Sequence, residues 1–216
     1  MIVVLLGPPG CGKGTQGERL AAALGVPKIS TGDVIRAAIK AETPLGLEAR
    51  AYYDRGDLVP DPLILGIMRE ALAAPEQARG VILDGVVRTV PQAEGLAKVL
   101  EGLARPLDLV LLFEIADEEL VKRLSGRTVC SACGTPATGR APGELHAECK
   151  ASPKGHFVRR KDDEPDAIRN RLEVYEQQTA PVIAWYRAHG DRLTAIDATG
   201  TMDVIEARVR RAAGIG

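Results

Sequence analysis

Aromatic residues are scarce. Two Phe, one Trp and four Tyr make up 3% of the 216 residues. The core must therefore come from Val, Leu, Ile and Ala, and the overall hydrophobic share of 45% is enough for a substantial one. Charge of one sign is not in excess either: 28 Lys and Arg against 29 Asp and Glu leave a net −1. Together these absences remove the footprint of a nucleic-acid or membrane-surface binder, and neither is expected as a partner. No apolar run approaches the roughly 20 residues that cross a bilayer. The run Met1 to Leu6 lacks the length and basic start of a secretory signal, so the expected location is cytoplasmic. Cysteines number four, and Cys130, Cys133 and Cys149 fall close together. In a reducing compartment that clustering points to metal more than to disulfides.

Apolar runs that are present are short and continuous, as in strands covered on both faces. Ile2 to Leu6, Gly80 to Asp84, Leu107 to Ile115 and Leu193 to Asp197 read as strands, with a short extended piece at Pro27 to Ser30. Helical patterns fall between them: Lys13 to Leu24, Thr31 to about Tyr53, Leu63 to Ala73, Pro91 to Gly102, Glu164 to Ala188 and Met202 to Ala213. A further helix starts at Asp117, which is expected to cap it. The alternation predicts an α/β fold, a parallel sheet wrapped by helices with right-handed crossovers. Composition shifts at Gly126, and the stretch to about Asp163 is rich in Gly, Pro, Cys, His and Arg, which reads as an insertion with its own organisation.

The segment Gly7-Pro8-Pro9-Gly10-Cys11-Gly12-Lys13-Gly14-Thr15 follows a strand and opens a helix. That context makes a Gly-rich match credible as a phosphate-binding loop. Glycines allow consecutive N–H groups to face one anion, the helix N-terminus adds partial positive charge, and Lys13 adds a full one. The general pattern places Ser or Thr directly after the Lys; here Gly14 intervenes and the hydroxyl arrives as Thr15.

GPPGCGKGT is the form found in nucleoside monophosphate kinases, and the whole chain resembles the adenylate kinase family. The landmarks GPPGCGKGT, STGDVIR, LVPD, LDGVVRT with Gln92, RLSGR, RRKDD, RNRLEVY and TAPVIAWY occur in order. The resemblance implies a P-loop three-layer α/β/α fold with a five-stranded parallel sheet. It implies a core of residues 1–29, 60–125 and 164–216, a small AMP-binding lobe at 30–59 and a lid at 126–163. The implied reaction is ATP + AMP = 2 ADP, with Mg²⁺ accompanying ATP. ATP, AMP and ADP are the expected partners, and the family's usual state is a monomer.

Residue by residue, the resemblance assigns ATP to Gly10, Cys11, Gly12, Lys13, Gly14, Thr15, Arg123, Arg127 and Gly200. Arg123 would stack on adenine and Gly200 would contact it through backbone. AMP is assigned to Thr31, Arg36, Asp57, Leu58, Val59, Gly85, Val86, Val87, Arg88, Gln92, Arg160 and Arg171. A Gln amide offers both the donor and the acceptor an adenine edge requires. Arg160 and Arg171 would clamp phosphates, and Asp162 and Asp163 would bond within the closing lid. Lys13, Arg88, Arg127, Arg160 and Arg171 form the expected catalytic set. Asp84, an acid at a strand's C-terminal end, would hold Mg²⁺ through water. No general base is expected, because positioning and charge screening do most of the work in this chemistry. The family's usual DGFPRT is DGVVRT here. Loss of the Pro and of the Phe bulk predicts weaker AMP binding than in an enzyme with Phe-Pro.

Cys130-Ser131-Ala132-Cys133 has the spacing of a zinc knuckle. Metal-bearing lids of the family carry a second C-x-x-C or C-x-x-D pair, where this chain has Cys149-Lys150-Ala151-Ser152. Ser152 is a poor zinc ligand, so His146 is the leading fourth ligand and His156 a further option; free thiols at a decayed site are the alternative. Kinases acting on UMP, CMP or GMP, nucleotide-dependent switches and zinc-ribbon nucleic-acid binders are the competing readings. Thr31 and Gln92 favour adenine, the second lobe and lid arginines argue against a switch, and the charge balance argues against a nucleic-acid binder.

Overall fold

The computed structural model describes residues 1–53, 59–159, 165–190 and 192–215. Five strands form one parallel sheet in the order β2-β3-β1-β4-β8: β1 (Ile2–Leu6), β2 (Lys28–Ser30), β3 (Val81–Asp84), β4 (Leu109–Glu114) and β8 (Leu193–Asp197). Central β1 is buried along its whole length because helices cover both faces. Alternation divides it. Ile2, Val4 and Leu6 pack into a cluster with α4 (Asp61–Ala73), α5 (Val90–Gly102) and α8 (Ala180–Ala188), whereas Val3 and Leu5 join Leu20, Phe113, Ile205 and Val209 under α1 (Lys13–Leu24) and α9 (Met202–Ala212).

Helices α2 (Thr31–Lys40) and α3 (Pro44–Tyr53) pack on each other and on α4 beyond the β2 edge. Beyond α6 (Asp117–Ser125), a separate antiparallel sheet has the order β6-β5-β7, formed by β5 (Arg127–Cys130), β6 (Pro136–Thr138) and β7 (Phe157–Val158). Its interior is a small cluster of Cys130, Cys149 and Phe157. The chain then returns through α7 (Pro165–Val174), and a π-helical segment Tyr175–Thr179 joins α7 to α8, where an unbroken helix was expected. One expectation is corrected at α6. Ala116 is the cap residue, and Asp117 is the first residue inside the helix, where it joins Glu118 and Glu119 in the first turn. Acidic side chains there complement the helix dipole without capping a backbone N–H.

No helix among the described residues is long and apolar enough to cross a membrane. Asp57, Leu58, Arg160, Asp162 and Asp163, and the side chain of Arg36, lie outside the described residues.

Candidate active site

The phosphate loop connects β1 to α1. Gly10 and Gly12 have φ of +86° and +96°, which L side chains rarely adopt, and a Cβ at Gly10 would also come 2.7 Å from the Leu124 side chain. Cys11 is fully buried beneath the loop, so its side chain is part of the core under α1 and α9. Lys13 Nζ donates to the carbonyl oxygens of Gly7 (2.7 Å) and Pro8 (2.9 Å), which keeps the ammonium over the loop.

Position 14 explains the departure from the general loop pattern. A Cβ on Gly14 would lie 3.4 Å from Asp84 Oδ2. This is the position from which a hydroxyl reaches Mg²⁺ in the general motif. Glycine instead leaves space between α1 and the acid at the end of β3. An anionic oxygen set beside a phosphate loop fits a hydrated magnesium ion.

Asp84 has a neighbour that motif reading missed. Lys28 Nζ lies 3.5 Å from Asp84 Oδ2 and 3.1 Å from Glu18 Oε1. Burial of Lys28 depresses its pKa, but Asp84 and Glu18 more than offset this and leave it raised. Strand parity was the available signal: Lys28 pairs with Ile82 and Ser30 with Asp84, so all four share one sheet face. Gly17 makes room for the lysine stem, since a Cβ there would approach Lys28 Cδ to 3.0 Å.

On the neighbouring strand ends, the Thr31 hydroxyl donates to the Gly85 carbonyl (3.1 Å), and Arg88 Nε reaches the same oxygen at 3.4 Å. The Thr179 hydroxyl donates to the Arg88 carbonyl. Val86 and Val87 are 3% and 2% exposed and belong to the core on the α4–α5–α8 side; Val59 is buried with them. Gln92 sits in the first turn of α5 with its amide engaged at both ends. Its Oε1 accepts from the Arg88 N–H (2.8 Å), and its Nε2 donates to Asp61 Oδ1 (2.7 Å). Sequence reasoning gave Gln92 to the base and missed Asp61, which stands inside the LVPD motif.

At the opposite side of the phosphate loop, Arg123 bridges Glu119 Oε1 (3.1 Å) and the Ala198 carbonyl (3.0 Å). Arg208 Nη1 donates to the carbonyls of Asp197 and Thr199, both at 2.7 Å. Bonds from the Thr199 hydroxyl and N–H, aided by Arg208, hold the Asp197 carboxyl below its ordinary pKa. Gly200 thus follows a firmly held turn. Arg127 opens β5 and Arg171 lies in the last turn of α7. Burial, with added repulsion from Cys11, Glu176 and Glu114, pushes the Tyr175 phenol up to about 12 and keeps it neutral.

In the small sheet, ligand atoms of Cys130, Cys133, His146 and Cys149 all lie within 4.8 Å of one another. Cys130 and Cys149 sulfurs are 3.7 Å apart, and Cys133 Sγ is 3.4 Å from His146 Nδ1. A tetrahedral zinc with Zn–S of about 2.3 Å and Zn–N of about 2.0 Å requires S···S near 3.8 Å and S···N near 3.5 Å. The four residues fit that ion. The Thr135 hydroxyl, 3.1 Å from Cys133 Sγ, is the main cause of a thiol pKa lowered to about 6, whereas burial raises that of Cys130. His156 stands outside the cluster; its backbone exchanges hydrogen bonds with Ser131, its N–H donating to Ser131 Oγ and its carbonyl accepting from the Ser131 N–H.

Fold and loop together define a P-loop nucleotide-binding protein. A sequence model of the family described as adenylate kinase matches residues 5–191. The chain is 66% identical over 209 residues to an adenylate kinase of Gemmatimonas aurantiaca, covering 97% of each chain. It is 46% identical over 207 residues to an adenylate kinase of Geobacter sp. (strain M21), covering 95% of this chain and 96% of that one. It is 42% identical over 205 residues to one from Methanosarcina mazei, covering 95% and 94%. The chain belongs to the adenylate kinase family.

Proposed function

We propose that this chain catalyses ATP + AMP = 2 ADP with the donor held by the phosphate loop and the acceptor held at the ends of β2 and β3. As a member of its family it is a phosphotransferase, and Mg²⁺ serves it with ATP. The observation that carries the residue assignment is the adjacency of two strand ends: Asp84 faces Gly14 of the phosphate loop, and Gly85, the next residue, is bonded to Thr31. Two nucleotides bound there would bring their phosphates together, which is what in-line transfer requires.

Lys13 supports the charge on the transferred group, and the loop N–H groups cradle the donor phosphates. Thr31, Arg36, Asp57, Leu58, Val59, Gly85, Val86, Val87, Arg88 and Gln92 serve AMP, with Gln92 exchanging its bond to Asp61 for the base. Arg123 and Gly200 serve ATP adenine, and Arg127, Arg160 and Arg171 surround the phosphates. Asp84 is suited to hold the water shell of Mg²⁺, whose charge offsets that of the phosphates. Residues 126–163 act as a lid held by zinc at Cys130, Cys133, His146 and Cys149. Residues 30–59 act as the AMP lobe, and the rest of the chain forms the core. Lid closure would shield the reaction from water. A monomer in the cytoplasm is the proposed setting.

A coupled assay for ADP tests this. AMP should be the preferred acceptor over UMP, CMP and GMP, and Lys13→Met should reduce kcat by at least about 100-fold. Equal rates with UMP or CMP would overturn the assignment of the acceptor site.

A further inference from the structure

Gln16 stands on the fourth residue of α1, one place past Thr15, and is 2% exposed. Its Nε2 donates to the Met202 carbonyl at 2.9 Å, across 186 residues of sequence. Its Oε1 is buried with no hydrogen-bond partner among the described residues. An amide with one satisfied and one unsatisfied end is a poor choice for stability, because the unpaired oxygen loses its water and gains nothing. A methionine of similar length would avoid that loss. The side chain therefore serves something that a well-packed apolar residue would not.

Its partner indicates what that is. Met202 opens α9 directly after the turn 198–201. The turn is held by Arg123 on Ala198 and by Arg208 on Asp197 and Thr199. From the helix that carries the phosphate loop, Arg19 pairs with Asp203 and Glu206 further along α9, while Gln16 bonds the backbone of Met202, the residue next to the turn. Only an amide offers a neutral donor of this length; lysine would bring an uncompensated charge into a buried place. The unsatisfied oxygen is the liability that comes with the nitrogen.

We propose that Gln16 is a positioning residue for the donor nucleotide, fixing the turn at Gly200 at a set distance from the phosphate loop. It acts through the Met202 carbonyl and touches no reacting atom. This rests on the reading that the Gly200 turn takes ATP adenine. A nucleotide that spans both ends of the strap senses it; one bound at the β2–β3 ends does not.

The test uses the full chain with Gln16→Met, which removes donor and unpaired acceptor together, and Gln16→Glu, which turns a carboxylate toward the Met202 carbonyl. Calorimetry measures binding of ATP, AMP and inorganic tripolyphosphate, and steady-state rates give KM for each substrate. Gln16→Met should melt at or above the wild-type temperature yet bind ATP about tenfold more weakly. AMP and tripolyphosphate binding should stay within about twofold, and kcat should change less than KM for ATP. Gln16→Glu should weaken ATP further. Equal losses for ATP and AMP, equal losses for ATP and tripolyphosphate, or unchanged ATP binding in both variants would overturn the proposal. Gly200→Val separates the two readings. If it leaves ATP binding intact, the adenine assignment fails; if it weakens ATP while the Gln16 variants do not, the strap fails.

Discussion

The Lys28 ammonium lies 3.5 Å from the Asp84 carboxylate, with both side chains largely enclosed. The acid assigned to magnesium therefore already has a cation beside it. Removing one partner of such a pair leaves a charge without compensation, at a cost of about 1–3 kcal/mol. Lys28→Met should lower the melting temperature of the nucleotide-free protein. MgATP should close much of that gap by supplying positive charge near Asp84. Equal gaps with and without MgATP in thermal melts would rule this out.

Val86 and Val87 occupy filled space, so their variants divide in two directions. Val86→Ala should cost about 1–3 kcal/mol through the cavity it leaves and raise KM for AMP with little effect on KM for ATP. The double variant Val86→Phe, Val87→Pro should bind AMP more tightly but melt lower, because a phenyl ring enters a packed core. Unchanged AMP affinity and stability in the double variant would contradict the link between these positions and the acceptor.

Asp197 offers a pH test. Its folded-state pKa is lowered, first by the Thr199 hydroxyl, then by the Thr199 N–H and Arg208. Its contribution is therefore complete above the unfolded value of 3.8 and is lost as pH falls through the lower folded value. Asp197→Asn should melt below wild type at pH 7, and the two curves should converge as the solution is acidified below the ordinary aspartate range. A gap independent of pH would assign the loss to shape rather than charge.

Zinc analysis distinguishes the two histidines. Purified protein should hold about one zinc per chain. His146→Ala should lose much of it, whereas His156→Ala should retain it. Chelation should unfold the small sheet in a separate early transition while the main sheet melts as before. Retention of zinc by His146→Ala would move the fourth ligand elsewhere.

Much of the fold was legible because β1 and β4 are continuous apolar runs and the helices between strands carry clear boundaries. The phosphate loop was legible because Gly10, Gly12 and Lys13 keep fixed spacing after a strand. Asp61, Gln16 and Thr179 were not, since each acts through a partner distant in sequence and nothing local marks such a pairing, and Lys28 was marked only by its strand parity. The fourth metal ligand was ambiguous for the same reason. Only the fold of the loop between β6 and β7 brings His146 to Cys133 and leaves His156 outside. Asp117 was misread because a cap and a first-turn acid differ by one residue, which composition does not resolve.

The small sheet has an interior of Cys130, Cys149 and Phe157 among the described residues, with Ala137 and Ala151 against it. So little oil cannot order thirty-odd residues by itself. If this segment is the proposed cover over the reacting phosphates, that cover is governed less by heat than by ion supply. A chain made where zinc is scarce would keep its main sheet and its phosphate loop intact. It would still grip nucleotides, yet have no firm roof to keep water from the phosphoryl group in transit. Metal shortage would surface in such a protein as a leak of ATP to hydrolysis, not as unfolding of the main sheet.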